Sequence, residues 1–293
     1  HSLITAHNIV HGSRELEASL GNAAFPALHK RLGTQLLAKL QQAVQITVAG
    51  LPKSGKTSVV NMLIGSDVVP SLSGAGLVDV IYGPEPRTLI EYADGTVEDV
   101  AGIMHDTDFE QTVFRVTIEL PQDHLLTQSY CEVSLSGVEA EDAGLLQEVA
   151  QKSALMIWCS ENVTPAEQAL WQEVPEDIKD HSFLALTMAD RHQMKGQLGQ
   201  KIEALEEFVS QEFYGLYPLA TLQAMKARFA GGQEHDQLWA LSGGKALCDI
   251  VEAQISLGRA EDLDRAQVLL DAVKPDGMSA QSNQRQHMPP PDQ

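Results

Sequence analysis

The sequence predicts an α/β protein with a mostly parallel sheet covered by helices on both faces, plus a short bundle of N- and C-terminal helices. Short apolar runs alternate with helical patterns between residues 43 and 219. Such alternation is typical of βαβ units. Leucines at helical spacing precede this region, and a further helical pattern follows it. We therefore expect a central α/β domain at 43–257 with helices on either side of it.

The N-terminal segment, residues 1–42, is predicted to be helical. Leu28, Leu32, Leu36 and Leu40 recur every four residues, which places them on one stripe of a helix. The stripe is interpreted either as an intramolecular packing face or as a helix that binds a partner. Both interpretations stay open at the level of sequence.

The strand predictions begin with residues 43–49, which are rich in β-branched side chains and end at Gly50. A short helix is expected next, from Thr57 to Ile64. The helix after Asn162 has a capping-box pattern, with Thr164 as the cap. The later strands are predicted, in chain order, at 77–82, 88–92, 114–120, 131–135, 155–159, 183–186 and 216–219.

The C-terminal region is predicted to form two helices, at 244–255 and 260–273. The segment 258–275 is expected to pack against the N-terminal helix. Residues 276–293 contain little but Gln, Ser, Asn and Pro. This composition predicts a disordered tail.

Composition excludes several classes of function. The 293 residues include 20 basic and 40 acidic side chains, for a formal net charge of −20. A nucleic-acid-binding domain needs a basic face, so we expect no nucleic-acid partner. Membrane contact is expected to be at most peripheral or through a partner, because no apolar stretch approaches the length of about 18 residues that a spanning helix needs. The three cysteines are widely separated and form no C-x-x-C pair, and two of them, Cys131 and Cys159, lie in apolar runs. This pattern predicts buried thiols in a reducing compartment, and therefore a cytoplasmic protein.

Residues 50–57 read Gly-Leu-Pro-Lys-Ser-Gly-Lys-Thr and fit G-x-x-x-x-G-K-[ST], the phosphate-binding loop. In such a loop the backbone N–H groups surround the phosphates, the lysine (Lys56) reaches the β/γ oxygens, and the hydroxyl of Thr57 holds Mg²⁺. The following helix directs its positive end at the same phosphates. The predicted nucleotide-binding residues of the loop are Gly50, Lys53, Ser54, Gly55, Lys56, Thr57 and Ser58.

The loop and the residues after it, 50–65, resemble the opening of dynamin-like and related bacterial GTPases, in which such a loop runs into Asn-x-Leu-Leu-Gly. Further similar segments occur in the family's order across about residues 43–257. The resemblance implies a P-loop GTPase domain that binds GTP or GDP with Mg²⁺. It also implies that Asp190, in Thr-Met-Ala-Asp at the position of [NT]-K-x-D, reads the guanine base.

The sequence departs from the family at positions that serve hydrolysis. Ser134 stands where the family has the aspartate of Asp-x-Pro-Gly, and Met188 replaces the lysine of the guanine motif. The switch threonine has no clear match in 71–77, and Ala-Thr at 220–221 replaces Ser-Ala. A carboxylate from Asp79 or Asp142 is the alternative source of the missing negative charge.

These departures lead to two functional hypotheses. The first is a dynamin-like guanine-nucleotide-binding protein with weak or absent intrinsic hydrolysis and a regulatory or assembly role. The second is a pseudo-GTPase interaction subunit that pairs with an active dynamin-like paralogue or another protein partner. A generic P-loop ATPase or kinase is a third possibility. A kinase also needs an acceptor site and a lid, and the sequence shows neither. Because the chain is too short for the family's long stalk and lipid-binding insert, we expect no autonomous membrane remodelling.

The sequence favours neither a metal site nor a serine hydrolase. The histidines around His105 and His181 lack H-x-x-x-H or H-E-x-x-H spacing, so they are interpreted as solvated residues rather than metal ligands. Ser134 and Ser136 do not form a G-x-S-x-G elbow, so a serine hydrolase is unsupported.

Overall fold

The computed structural model describes residues 2–22, 25–230 and 232–273. Within these ranges the helices are α1 (Ser2–Leu20), α2 (Ala27–Gln41), α3 (Lys56–Ile64), α4 (Glu139–Ala150), α5 (Pro165–Gln172), α6 (Glu176–Lys179), α7 (Ala189–Met194), α8 (Leu198–Glu212), α9 (Thr221–Ala230), α10 (Gln233–Leu241) and α11 (Gly244–Val273), with a 3₁₀ helix at Asp123–Leu126. The strands are β1 (Val44–Gly50), β2 (Leu72–Tyr82), β3 (Arg87–Tyr92), β4 (Val97–Ala101), β5 (Thr107–Leu120), β6 (Gln128–Ser134), β7 (Ser153–Ser160), β8 (Ser182–Thr187) and β9 (Gly215–Leu219).

The strands of the described residues form one sheet in the order β4-β3-β5-β2-β6-β1-β7-β8-β9. The half from β6 to β9 is parallel throughout, as is the β2–β5 pair. Strand β2 pairs antiparallel with β6, and β3 pairs antiparallel with β4 and β5. The predicted α/β class with a mostly parallel sheet is confirmed.

The sheet has a hydrophobic core on each face because its central strands bury alternate side chains on opposite sides. On one face, Ile46 and Val48 of β1 pack in the same cluster as Val59 and Met62 of α3. On the other face, Ala49 shares a cluster with side chains of α4, α5 and α8. The alternation along β1 therefore directs one set of residues toward α3 and the other set away from it.

The two outer strands of the sheet differ in composition. Strand β4 is mostly exposed and carries Glu98 and Asp99. The carboxylate of Asp99 accepts two hydrogen bonds from Arg87, at 2.9 and 2.6 Å, and Glu98 accepts one from the Tyr92 hydroxyl. At the opposite edge, β9 contains Pro218, which has no N–H to donate to a further strand.

Several elements differ from the sequence-based expectation, among them β2, β4, β5, which begins at Thr107 rather than 114, and the C-terminal helices. Strand β2 begins at Leu72 rather than 77 and contains a register shift between Ser73 and Ala75, where glycines hide the strand pattern. Strand β4 was not predicted, because its exposed, acidic residues show no apolar alternation. The two predicted C-terminal helices are a single helix, α11, of 30 residues.

The helix continues through Gly258, which lies in the break expected between the predicted helices 244–255 and 260–273. A methyl group added there would meet nothing within 4 Å, and its φ is not in the left-handed region. A glycine in a helix interior costs only about 1 kcal/mol relative to alanine. That cost is too small to end a helix that is anchored by packing on both sides of it.

The chain divides into two compact units, one of them Ala43–Ile255 and the other made from the described residues before 43 and after 255. In the second unit, α1, α2 and α11 share a core. Its fully or largely buried members are Leu16, Leu20, Phe25, Leu40, Ala266 and Leu270. The predicted leucine stripe is buried only at its C-terminal end, because Leu28 and Leu32 are exposed. The predicted tail, 276–293, lies outside the described residues.

Arg259 closes the C-terminal end of α2 within this unit. Its guanidinium donates hydrogen bonds to the carbonyl oxygens of Lys39 and Leu40, both at 3.0 Å, and of Gln42 at 2.5 Å. The last carbonyls of a helix have no partner inside the helix. Burial lowers the pKa of Arg259, partly offset by Asp262. Arg259 thus joins α11 to carbonyls that α2 cannot satisfy by itself.

No helix among the described residues is both long and apolar enough to cross a membrane. Cys131, Cys159 and Cys248 are free and buried. Burial raises the pKa of the Cys159 and Cys248 thiols to about 12.

Candidate functional site

The candidate site lies at the carboxyl ends of parallel strands. Strand β1 ends at Gly50 and is followed by a loop and then α3. Strands β8 and β9 run in the same direction, through β7, and end at Thr187 and Leu219. In open α/β sheets, ligands bind at this edge. The loop of residues 50–57 and the segments 187–190 and 220–221 are thus brought to one edge of the sheet.

Backbone geometry explains why glycines are needed in the loop. A Cβ at Gly50 would lie 2.4 Å from the carbonyl oxygen of Cys159 and 2.6 Å from Ser54 Oγ. Gly55 has a φ of +87°, which side chains rarely adopt. Lys53 has a φ of +64° although it is not glycine, and strained backbone of this kind is concentrated at ligand sites.

Lys56 is the first residue of α3, and its side chain is buried. Its Nζ donates to the carbonyl oxygen of Leu51 at 2.9 Å, so the ammonium lies over its own loop. Burial lowers the pKa of Lys56, and the nearby carboxylate of Glu132 opposes that shift. A buried cation of this kind needs an anionic partner.

Glu132, on β6, is the site residue that the sequence analysis missed. The Thr57 hydroxyl donates to Glu132 Oε1 at 2.9 Å, while Oε2 is buried with no hydrogen-bond partner. Burial raises the pKa of Glu132, and Lys56 and the bond from Thr57 act in the opposite direction. The available signal was an acidic residue inside the apolar run Tyr-Cys-Glu-Val, in the strand predicted at 131–135.

Two more buried oxygens next to the loop lack partners. Ser54 Oγ and Thr221 Oγ1 make no hydrogen bond. Thr221 Oγ1 lies 3.9 Å from the position that a Cβ on Gly55 would occupy. Buried polar atoms are almost always satisfied in native proteins, and exceptions need a reason such as a ligand. Together with Glu132 Oε2, these atoms mark the loop as a site built for a polar group.

The segment predicted to read the base is attached to the loop. The buried hydroxyl of Thr187 donates to the carbonyl oxygen of Ser54 at 2.8 Å. Met188 has a left-handed backbone, with a φ of +54°, and precedes α7. Asp190 lies in the first turn of α7, is half-buried, and makes no hydrogen bond or ion pair with the described residues. Its carboxylate is available to a ligand.

Neither proposed substitute for the missing aspartate belongs to the site. Asp79 forms an ion pair with Arg115, whose Nη1 lies 2.6 Å from Asp79 Oδ2. Asp142 accepts hydrogen bonds from the backbone N–H groups of Ser136 and Gly137, at 2.7 and 2.8 Å. Both carboxylates therefore have structural partners elsewhere.

The remaining predicted positions lie as follows. Ser134 ends β6 and pairs with Gly50 in the parallel β1–β6 ladder, so it adjoins the loop, but with a hydroxyl instead of a carboxylate. Most of the segment 71–77, where the switch threonine was sought, is part of strand β2. Lys53 is exposed, and Ser58 is half-buried in the first turn of α3.

The donor set fits a divalent ion that also binds a phosphate. Thr57 and Glu132 present oxygen donors, which Mg²⁺ prefers, and Mg²⁺ is usually held by one or two protein ligands together with substrate phosphates. Among the described residues no group of three or more His, Cys, Asp or Glu side chains forms a metal site. A metal at this loop would therefore depend on the ligand that it accompanies.

No protein-family model matches the sequence, and comparison with curated proteins finds no relative. Among solved structures, two of an oligomerised bacterial dynamin pair, described as providing a mechanism for long-range sensing and tethering of membranes, match 92% and 93% of this chain. The TM-scores are 0.60 and 0.63, at 13% identity in each case. This chain spans only 55% of each of those chains.

A weaker likeness is to a GTP-binding protein from Sulfolobus solfataricus in complex with GDP. It has a TM-score of 0.38 at 13% identity, and covers 86% of this chain and 67% of that chain. The sheet and the loop between β1 and α3 define a P-loop nucleoside-triphosphatase fold. Within that class, the chain has the fold of a dynamin-like GTPase.

Proposed function

We propose that this protein binds guanine nucleotides at the loop of residues 50–57 and hydrolyses GTP weakly or not at all. The observation that carries the proposal is the buried, desolvated Lys56 within a loop whose neighbouring oxygens lack partners. A phosphate group would neutralise the ammonium and accept hydrogen bonds from the hydroxyls of Ser54 and Thr221. The helix dipole of α3 favours an anion at the same place.

Guanine selectivity is assigned to Asp190. Its carboxylate has no competing partner among the described residues, and it can accept hydrogen bonds from the N1 and N2 donors of guanine. The bond from Thr187 to Ser54 couples this segment to the loop. Met188 supplies no cation to stack on the base, which favours modest affinity.

Weak hydrolysis is inferred from the residues that would position Mg²⁺ and water. Ser134 offers no negative charge, and the segment where the switch threonine was sought contributes to the β2 ladder. Mg²⁺, when bound, would balance the charge of the phosphates. Thr57 would hold the ion, Lys56 would bind the phosphates, and the loop amides would orient them.

Calorimetry with GTP, GDP and ATP tests nucleotide binding. We expect GTP and GDP to bind and ATP to bind much more weakly. Lys56→Ala is expected to weaken GDP binding about 10- to 100-fold, as the loss of a charged hydrogen bond predicts. Lys226→Ala is the control, because Lys226 is an exposed lysine on α9 that lies outside the loop. ATP binding as tight as GTP binding would contradict the role of Asp190 and favour an ATPase or kinase.

Steady-state GTP turnover separates a slow enzyme from an inactive one. The wild-type protein and Ser134→Asp are compared under the same conditions. Measurable turnover gained by the variant would support a site that has lost part of its machinery. Fast turnover by the wild-type protein would exclude the pseudo-GTPase interpretation.

A second candidate function is a pseudo-GTPase subunit that pairs with a dynamin-like paralogue or another protein. The similarity in fold to an oligomerised dynamin pair favours this candidate. We place the protein in the cytoplasm, with membrane contact that is only peripheral or through the partner. We treat residues 43–257 as the nucleotide-binding domain. The segments 1–42 and 258–275 are then the helical segments that flank it. Co-purification with candidate paralogues in the presence of GDP or GTP tests the pairing.

A further inference from the structure

The position of Glu132 in the sheet places its side chain on the same side as the phosphate loop. Side chains alternate along β6. Tyr130 packs in the cluster that contains α3, whereas Cys131 and Val133 pack in the cluster on the opposite face. Glu132 therefore shares the face of Tyr130 and of Ser134. In the parallel ladder it lies beside Val48, two residues before the end of β1.

Burying the carboxylate of Glu132 at this position lowers the stability of the fold, and a functional role would explain why it is there. The side chain of Glu132 is buried in the middle of the sheet, and moving an ionised carboxylate out of water costs several kcal/mol. The Thr57 hydroxyl satisfies only Oε1, and Oε2 has no partner. Charge balance with Lys56 explains part of this arrangement. It leaves the unpartnered oxygen unexplained.

We propose that Glu132 provides the metal-directed carboxylate of this site and takes over the charge that Ser134 lacks. This inference depends on the proposed nucleotide binding. Because the Thr57 hydroxyl donates its hydrogen bond to Glu132, the lone pairs of the Thr57 oxygen are free for a divalent ion. Glu132 Oε2 is then a free acceptor for that ion or for one of its water molecules. Although Glu132 lies two residues before Ser134 on the strand, its carboxylate directly contacts the Thr57 hydroxyl.

Nucleotide binding with a metal ion and hydrolysis of GTP then depend on different residues of the site. Metal-assisted nucleotide binding is retained through Glu132. The weakness of hydrolysis is then due to the switch segment and the missing carboxylate at Ser134, which leave the attacking water without positioning groups, and not to the loss of the ion.

The test measures the binding of a fluorescent GDP analogue, with Mg²⁺ and with EDTA, to wild type, Glu132→Gln and Asp79→Asn. Glutamine preserves the shape of Glu132 and can still accept a hydrogen bond from Thr57. Asp79 is the control, since it is a carboxylate on the neighbouring strand β2 with an ion-pair partner of its own. Circular dichroism of each variant verifies that it is folded.

We expect Mg²⁺ to strengthen GDP binding by the wild type and by Asp79→Asn, and to have little effect on Glu132→Gln. Binding in EDTA should be similar for the wild type and Glu132→Gln. Loss of Mn²⁺ binding in the presence of GDP, followed by electron paramagnetic resonance, gives a second measurement. Removal of a metal-site carboxylate is expected to weaken Mn²⁺ binding by about 10- to 100-fold.

Two results would overturn the inference. If Glu132→Gln keeps the full effect of Mg²⁺, or loses affinity equally in Mg²⁺ and EDTA, Glu132 only balances the charge of Lys56 and the inference alone is wrong. If the wild type binds no GDP under either condition, the proposed nucleotide binding is wrong, and this inference fails with it.

Discussion

The Thr187 hydroxyl connects the phosphate loop to the segment that follows β8. It is fully buried and donates to the carbonyl oxygen of Ser54. Thr187→Val keeps the shape of the side chain and leaves that carbonyl without its partner. We expect the free energy of unfolding to fall by about 1–3 kcal/mol, measured by urea denaturation. Thr34→Val is the control, since Thr34 is exposed and bonds only to a carbonyl of its own helix; an equal loss there would contradict the explanation.

His124 makes stability depend on pH. Burial, with a smaller contribution from Arg228, lowers the pKa of His124 below its ordinary value of 6.5. The folded protein therefore binds the proton less tightly than the unfolded chain. This contribution to stability is complete above pH 6.5 and is lost as the pH falls below it. We expect the urea midpoint of His124→Asn to fall less than that of the wild type between neutral and mildly acidic pH; parallel curves would contradict this.

The residues of the loop were predictable because their spacing is a local pattern with one chemical purpose. Glu132 was not, because its role depends on a contact with Thr57 across 75 positions of sequence. Thr187 was noticed only as the first residue of the segment that resembles the guanine motif. Its hydrogen bond to Ser54 spans 133 positions of sequence. Sequence patterns indicate which segments carry chemistry. They do not indicate which distant side chains meet.

At the scale of elements, the contact between α2 and α11 depends on Arg259. Arg259→Met keeps much of the apolar contact but removes a charged donor from three buried or partly buried carbonyls. We expect a loss of about 2–4 kcal/mol in unfolding free energy, seen by chemical denaturation followed by circular dichroism. The matched control on the same helix is Arg265→Met, whose side chain is mostly exposed. The interpretation is wrong if both variants lose the same amount.

Most helices and strands were predictable from periodicity, and the exceptions have physical reasons. The capping box at Thr164 is present, with both reciprocal bonds. The continuous helix α11 was predicted as two helices, at 244–255 and 260–273, whereas packing on both sides of the predicted break overrides local propensity. Strand β4 has no apolar face, so its existence depends on pairing with β3 rather than on its own side chains.

At the scale of the whole molecule, the reactivity of the buried thiols measures unfolding of the whole protein. All three cysteines are buried, and burial raises the pKa of each. We expect none of them to react with a thiol-specific reagent at mildly alkaline pH until the protein unfolds, and all three to react in denaturant. Rapid labelling of one thiol in native buffer would show that its surroundings open locally.

The net charge of −20 disfavours self-association. Like charges disfavour close approach of two identical copies and favour a less acidic partner. Sedimentation of the isolated protein with GDP, and with a transition-state mimic, is expected to show a monomer or weak dimer. A tight, nucleotide-dependent homodimer would mean that the copies associate without a different partner.

The edges of the sheet have a consequence for how the protein behaves when it is concentrated. An open β-edge is the place where one chain can template another into a fibril. At β4 an incoming strand meets the acidic pair Glu98 and Asp99, and at β9 it meets Pro218, which cannot continue the ladder. Growth by strand addition is therefore hindered at both ends.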